Sequence, residues 1–206
     1  MAEKTKSLYR IVTIPVFYEA IQIILGRDKA RKHLREHYLQ TKKGDKVLEV
    51  GCGPGSLLPL LGDVDYLGMD LNPVHIEKAK QSNGDKGTFI CGNAVTEVEH
   101  AAGPFDLIIC IGLLHHLNDD EAASMIGALS KRLSQNGRFV SLDPTYIDKQ
   151  NCIAKKLADL DSGQNIRTQS AYASLFPTTK FNLDSRELSG LLNIPYNHCL
   201  NVLTSG

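Results

Sequence analysis

The chain has 206 residues, 42% of them hydrophobic and 22% charged, which suits one well-buried domain and is short for two. Its 23 Lys and Arg balance 23 Asp and Glu, and a net charge of zero argues against a broad nucleic-acid surface, DNA included, because phosphate binding relies on excess basic residues. The five cysteines are widely spaced and form no C-x-x-C pair, so neither a disulfide framework nor a zinc site is expected, and the setting reads as reducing and cytoplasmic.

The N-terminus lacks the pattern of a signal peptide. Ile11 to Leu25 is apolar-rich, but Glu19 and Gln22 interrupt it and it is too short to cross a bilayer, so no transmembrane segment is expected. Phe17, Ala20, Ile21 and Ile24 recur at helical spacing, and Gly26 breaks the run. A second helix is expected from Asp28 to Gln40, with Ala30, Leu34 and Tyr38 inward. Its other faces carry Arg27, Lys29, Arg31, Lys32 and Arg35, either a solvated face or an anion-binding patch that leaves room for peripheral membrane contact. Residues 1–43 therefore read as a helical cap, and residues 44–206 as the domain it covers. Tyr9, Phe17 and Tyr18 are candidates to line a lid, with ordinary packing as the plainer reading.

From Gly44 strands and helices alternate. Lys46 to Val50 predicts a strand that enters the loop Gly51-Cys52-Gly53-Pro54-Gly55, and a helix follows from Ser56. Tyr66 to Met69 and Thr88 to Cys91 predict two more strands. Asn72 is placed to cap the helix that Pro73 begins. Asp106 to Ile111 is a nearly continuous apolar run, as in a central parallel strand buried on both faces. Asn118 and Glu121 have capping-box spacing, and Ala122, Met125, Ile126, Leu129 and Leu133 form the stripe of a helix expected to end at Asn136-Gly137. Arg138 to Leu142 is a fifth strand. Helices are expected around Ile153, Leu157 and Leu160 and over Ser170 to Phe176. Phe181 to Leu191 and Tyr196 to Leu203 read as two final antiparallel strands. The fold class is α/β: a Rossmann-like, seven-stranded, mostly parallel sheet with helices on both faces, the last strand antiparallel and a helical extension in front.

Ligands of such sheets bind beyond the carboxyl ends of the strands. Gly51, Gly53 and Gly55 permit a tight turn and close ligand approach there. Asp70 ends the second strand, where an acid can accept hydrogen bonds from ribose hydroxyls. Together these predict a nucleoside site. A dinucleotide fingerprint would need a glycine where Ser56 stands, and Glu49 ahead of the loop would repel a pyrophosphate while suiting an ammonium group. S-adenosylmethionine has a ribose, an ammonium and no phosphate.

Val47-Leu48-Glu49-Val50-Gly51-Cys52-Gly53-Pro54-Gly55 resembles motif I of the class I S-adenosylmethionine-dependent methyltransferases. Asp70 matches the ribose-binding acid of that family. Cys91-Gly92-Asn93-Ala94 matches its adenine-flanking segment, although Asp is commoner there than Asn. Phe105-Asp106-Leu107-Ile108-Ile109 with Leu113-Leu114-His115-His116-Leu117 resembles the fourth motif of the UbiE-like small-molecule branch. The flanks Gly163-Gln164-Asn165-Ile166-Arg167 and Ile194-Pro195-Tyr196-Asn197-His198 look like those of small bacterial methyltransferases. The resemblance implies S-adenosylmethionine as cofactor and S-adenosylhomocysteine as product. It implies cofactor contacts at Glu49, Gly51, Gly53, Asp70, Leu71, Asn93, Ala94 and Ile111, with Gly112 beside the last. For Glu49, orienting the loop is as good a reading as direct contact.

His115 and His116 are adjacent and so point in different directions, which rules out a simple two-ligand metal face; no metal is expected. A neutral imidazole can take a proton from an acceptor hydroxyl or amine, and His116 is the candidate general base. His115, Asp143, Tyr146 and Tyr18 are candidates for the substrate pocket. The fourth-strand end lacks the Asn/Asp-Pro-Pro-Tyr/Phe element that in this family marks methylation of planar nitrogens, which disfavours a DNA methylase. The reading is methyl transfer to a small-molecule or lipid-like acceptor. The alternatives are a non-catalytic S-adenosylmethionine-binding module and, disfavoured by Ser56 and Glu49, a nicotinamide-dependent oxidoreductase. Acceptor, attacked atom and oligomeric state stay open at this stage.

Overall fold

A computed structural model describes residues 26–101, 103–161 and 163–205. In chain order the elements are α1 (Arg27–Leu34), β1 (Lys46–Val50), α2 (Leu58–Leu61), β2 (Asp65–Asp70), α3 (Pro73–Asn83), β3 (Thr88–Cys91) and α4 (Ala94–His100). Then come β4 (Phe105–Ile111), α5 (Asp119–Ser130), β5 (Leu133–Tyr146), α6 (Cys152–Asp159), β6 (Arg167–Thr168), α7 (Gln169–Ala173), β7 (Phe181–Leu188) and β8 (His198–Ser205).

The main sheet runs β3-β2-β1-β4-β5-β8-β7, with the two-residue β6 paired to β5 off this path. β1 to β5 pair in parallel, and β8 lies antiparallel between β5 and β7. This is the expected Rossmann-like sheet with its last strand reversed. Alternation along the central strands divides the core. Leu48, Val50, Ile108 and Cys110 face α4, α5 and α7, whereas Val47, Leu107 and Ile109 face α1, α2 and α3.

Local signals explain most boundaries. Asn72 caps α3 by accepting from the Val74 N–H, with Pro73 in the first turn. Asn118 and Glu121 form a reciprocal capping box at α5.

Four expectations need correction. The second N-terminal helix is interrupted: α1 passes into a π-helical turn, Arg35–Leu39, before Gln40 takes a left-handed conformation. The wider turn carries Leu39 inward in place of Tyr38; Leu39 is buried and Tyr38 half-buried. The α5 helix stops at Ser130, so Leu133 and Asn136-Gly137 belong to β5. β7 ends at Leu188 and β8 starts at His198, so both strands are shorter at their shared connection than expected. Lastly, α6 buries Ala154 and Ala158, while Ile153 and Leu160 are exposed, so the expected face is not the packed one.

The first expected helix, with Tyr9, Phe17, Tyr18 and Ile24, lies outside the described residues. Among the described residues no helix is long and apolar enough to cross a membrane.

Candidate active site

The carboxyl ends of β1, β2, β3 and β4 form one continuous rim. The chain leaves β1 through Gly51 and Cys52, whose N–H groups both donate to the Met69 carbonyl of β2 (2.8 and 3.0 Å). Gly53 follows in the left-handed region (φ 53°), with no heavy atom within 4 Å of where a Cβ would stand. A ligand can therefore come close to the backbone there. The Gly53 N–H donates to Asp70 Oδ2 at 2.9 Å, and the Asn72 N–H donates to Asp70 Oδ1 at 2.8 Å. The carboxylate is thus braced at both oxygens, and each keeps acceptor capacity for a further donor.

The neighbouring positions join the same rim. Leu71 is 71% exposed, an apolar surface beside Asp70. The Gly92 N–H donates to the Asp70 carbonyl at 3.1 Å, which brings the end of β3 alongside. Asn93 caps α4 through Oδ1, accepting from the Val95 N–H at 2.9 Å, and Ala94 is buried beneath it. Past Ile111, Gly112 donates to the Leu142 carbonyl at 2.8 Å, and the Leu113 side chain lies against Gly51. Every described residue named for the cofactor edge except Glu49 stands on this rim.

Glu49 points elsewhere. Its side chain is buried on the face covered by α1 and accepts a hydrogen bond from the Tyr66 hydroxyl. Burial raises its pKa to about 7, against the lowering effects of that hydrogen bond and of Arg31. Arg31 of α1 in turn donates to Ser56 Oγ at 2.8 Å, just beyond the glycine loop. Tyr66 and Arg31 are supports that residue spacing did not indicate.

The ends of β4 and β5, where the sequence suggested a substrate pocket, are made differently. A 3₁₀ turn, Leu114–His116, turns His115 inward and leaves His116 exposed. The two rings nevertheless sit close, 4.0 Å between centroids, so adjacency did not separate them as expected. Among the described residues no group of three or more His, Cys, Asp or Glu could hold a metal. His115 Nδ1 lies 2.9 Å from Asp143 Oδ1, and its Nε2 lies 3.3 Å from Asp161 Oδ1. The His115 backbone N–H also donates to Asp143, at 3.2 Å. Burial would lower the His115 pKa, but hydrogen bonds to Asp143 and Asp161 and their charge raise it to about 9. The His116 pKa is lowered by burial and by the charge of His115.

Residues of the segment after α6 complete this turn. Asp161 also accepts from the Gly163 N–H (2.8 Å) and the Tyr196 hydroxyl (2.8 Å). The Asn165 N–H donates to the His115 carbonyl at 2.9 Å. Arg167 donates to the carbonyls of Leu114 (2.9 Å) and Leu117 (2.7 Å), and to Asp119 at 2.8 Å. Gly163 has no room for a side chain, because a Cβ would fall inside the His115 ring. Tyr146 stands apart, donating to Asp159 at 3.0 Å beside a groove of about 470 Å³ shared with Ile147, Lys149, Gln150 and Lys155. Asp161, Arg167 and Tyr196 were not singled out from the sequence. Arg167 and Tyr196 lie within the two flanking segments noted there; Asp161 had no signal.

Residues 47–137 match the family model described as "Methyltransferase domain". The chain is 30% identical over 115 residues to an uncharacterized methyltransferase of Anoxybacillus flavithermus, covering 53% of this chain and 51% of that protein. It is 30% identical over 112 residues to a ubiquinone biosynthesis O-methyltransferase of Thiobacillus denitrificans, covering 50% and 47%. The chain thus spans about half the length of these curated relatives. Among solved structures, the magnesium protoporphyrin IX methyltransferase of Synechocystis PCC 6803, with bound SAH, superposes with a TM-score of 0.66. It is 18% identical, over 98% of this chain and 99% of that one, a likeness of fold.

Proposed function

We propose that this chain, whose residues 47–137 match a methyltransferase domain, is an S-adenosylmethionine-dependent methyltransferase acting on a small-molecule or lipid-like acceptor. One arrangement carries the reading: a braced Asp70 beside the open backbone of Gly53, with an exposed His116 at the same edge of the sheet. S-adenosylmethionine supplies a methyl group made electrophilic by a sulfonium.

Asp70 accepts from the ribose hydroxyls, its charge making these strong hydrogen bonds. Gly51 and Gly53 allow close approach of the methionine portion. Leu71 covers an adenine face. Asn93 and Ala94 meet the polar edge of the base, Asn93 through groups other than Oδ1, which the cap uses. The end of β4 at Ile111 supplies backbone carbonyls. Glu49 acts from beneath, holding Tyr66 and the start of the loop. Each of these residues favours position over chemistry, which suits a reaction limited by alignment and exclusion of water.

His116 accepts the acceptor's proton, because it is the exposed imidazole of the pair, and partial burial and the charge of His115 favour its neutral form. Residues 1–43 form the cap. Its described part, α1, buries Ala30, Leu34 and Leu39 against the sheet and reaches the glycine loop through Arg31. Tyr146 belongs to the acceptor side, and the groove beside it is where a longer acceptor extends.

An acceptor screen with methyl-labelled S-adenosylmethionine tests the function. Label transferred to a small or lipid-like molecule supports it. Tight S-adenosylhomocysteine binding with no transfer to any acceptor class would make the chain a binding module. A thermal shift with NAD in place of S-adenosylhomocysteine would overturn the cofactor assignment.

A further inference from the structure

We propose that Asp161 and His115 are positioning residues. With Asp143 they form a carboxylate–imidazolium–carboxylate clamp that fixes the turn carrying His116 and keeps a positive charge beside it. The inference rests on reading His116 as the general base.

The geometry points to a charged His115 by donor counting. Nδ1 faces Asp143 Oδ1 at 2.9 Å and Nε2 faces Asp161 Oδ1 at 3.3 Å. With both carboxylates ionised and able only to accept, both ring nitrogens donate, and an imidazole with two N–H groups is a cation. Burial makes the same demand. Asp143 is fully buried, and its Oδ2 has no hydrogen-bond partner among the described residues. A carboxylate there requires a cation against it, and His115 is the group in contact. Asp161 is ionised for a related reason: it accepts from Gly163 N–H and Tyr196 Oη as well as facing His115.

Other groups around His115 fit a single positive charge. His198 at the start of β8 is buried and held neutral, its pKa lowered to about 4 by burial and by the charge of His115. Arg167 of β6 is turned to the carbonyls of Leu114 and Leu117 and to Asp119. His116, with its ring centroid 4.0 Å away, also faces the charge. A second imidazolium at that distance is disfavoured, so His116 stays free to accept a proton near neutral pH. Meanwhile Asn165 N–H to the His115 carbonyl, and the lack of space at Gly163, fix the turn to the segment that follows α6.

The test is a histidine titration by long-range proton–nitrogen NMR on the full chain with S-adenosylhomocysteine bound, from pH 5 to pH 10. Wild-type His115 should keep both nitrogens protonated through pH 8, with a midpoint near 9. His116 should titrate below the ordinary histidine value. In Asp161→Asn the His115 midpoint should fall by roughly 1 unit or more, and in His115→Gln the His116 midpoint should rise by about half a unit or more. Should His115→Gln fail to fold, judged by loss of S-adenosylhomocysteine binding, Asp161→Asn decides alone. A wild-type His115 that titrates at or below 6.5 overturns the clamp, as does an unmoved midpoint in either folded variant. Turnover surviving in His116→Ala would instead sink the base reading, an outcome seen in the acceptor assay and independent of these titrations.

Discussion

The two halves of the sheet's carboxyl edge are built on different plans. Around β1 and β2 the site is mostly backbone: left-handed glycines, N–H groups and one carboxylate braced by its own loop. Around β4 and β5 it is mostly side chains, contributed by the turn after β4, the end of β5, the segment after α6 and the connection before β8. The first plan keeps all its parts within one β-loop-α-β stretch. The second assembles residues about 50 positions apart, such as Leu114 with Arg167. Under the proposed function, the backbone half would serve the cofactor, whereas the side-chain half could be rebuilt for each acceptor.

The sharpest way to separate the two halves is His116→Ala. If His116 is the base, turnover falls about 10²–10⁴-fold, while S-adenosylhomocysteine affinity, measured by calorimetry, is nearly unchanged. Equal losses in both would merge the halves into one site.

Asp70→Ala is the reciprocal change. If Asp70 holds the ribose, each lost hydrogen bond to the carboxylate costs roughly 1.5–3 kcal/mol of S-adenosylhomocysteine affinity. Calorimetry on folded variant protein reads it, and unchanged affinity would remove Asp70 from the site.

Glu49 brings a pH signature to the first half. Its folded pKa, about 7, lies above the ordinary value of 4.5, so the folded state holds the proton more tightly. Stability from this group is present at low pH and is lost as pH rises from about 4.5 through 7. Glu49→Gln keeps the shape without the charge. It should flatten that decline and stabilise the protein at pH 8 by about 3 kcal/mol, measured by urea unfolding. His115 produces the same sign in a later window: its stability is full below 6.5 and is lost as pH rises through about 9. A Glu49→Gln profile that still declines below pH 7 would deny the first half its titration.

Arg167→Ala should have the smallest effect, about 2 kcal/mol in urea unfolding, because it strips donors from the Leu114 and Leu117 carbonyls. Cofactor affinity should hold while the turn after β4 loosens.

This contrast also explains what could be read from the sequence. Strand and loop positions from Val47 to Asp70 were legible because hydrophobic runs, glycines and a terminal acid are local signals. Capping at Asn72 and Asn118 was legible for the same reason. The clamp was not. His115 and Asp143 were named, but as pocket residues, since nothing in their neighbourhood says that each is buried against the other. Asp161 follows a short helix in an ordinary polar stretch, and only the fold brings it to His115 Nε2. The π-helical turn escaped as well, because a 3.6-residue period puts Tyr38 where a five-residue step puts Leu39.

That turn has a consequence for chain length. Leu34 and Leu39 are both buried, five residues apart, and Arg138 of β5 holds the turn by donating to the Tyr38 and Leu39 carbonyls. A π-helical turn is in effect an α-helix carrying one residue more than its period requires. Deleting one residue between Arg35 and Tyr38 would restore the four-residue step without moving either anchor far. The segment is therefore a place where this fold can gain or lose a residue and keep the same buried partners. Homologues aligned here should differ in length by one without any change in the glycine loop that follows.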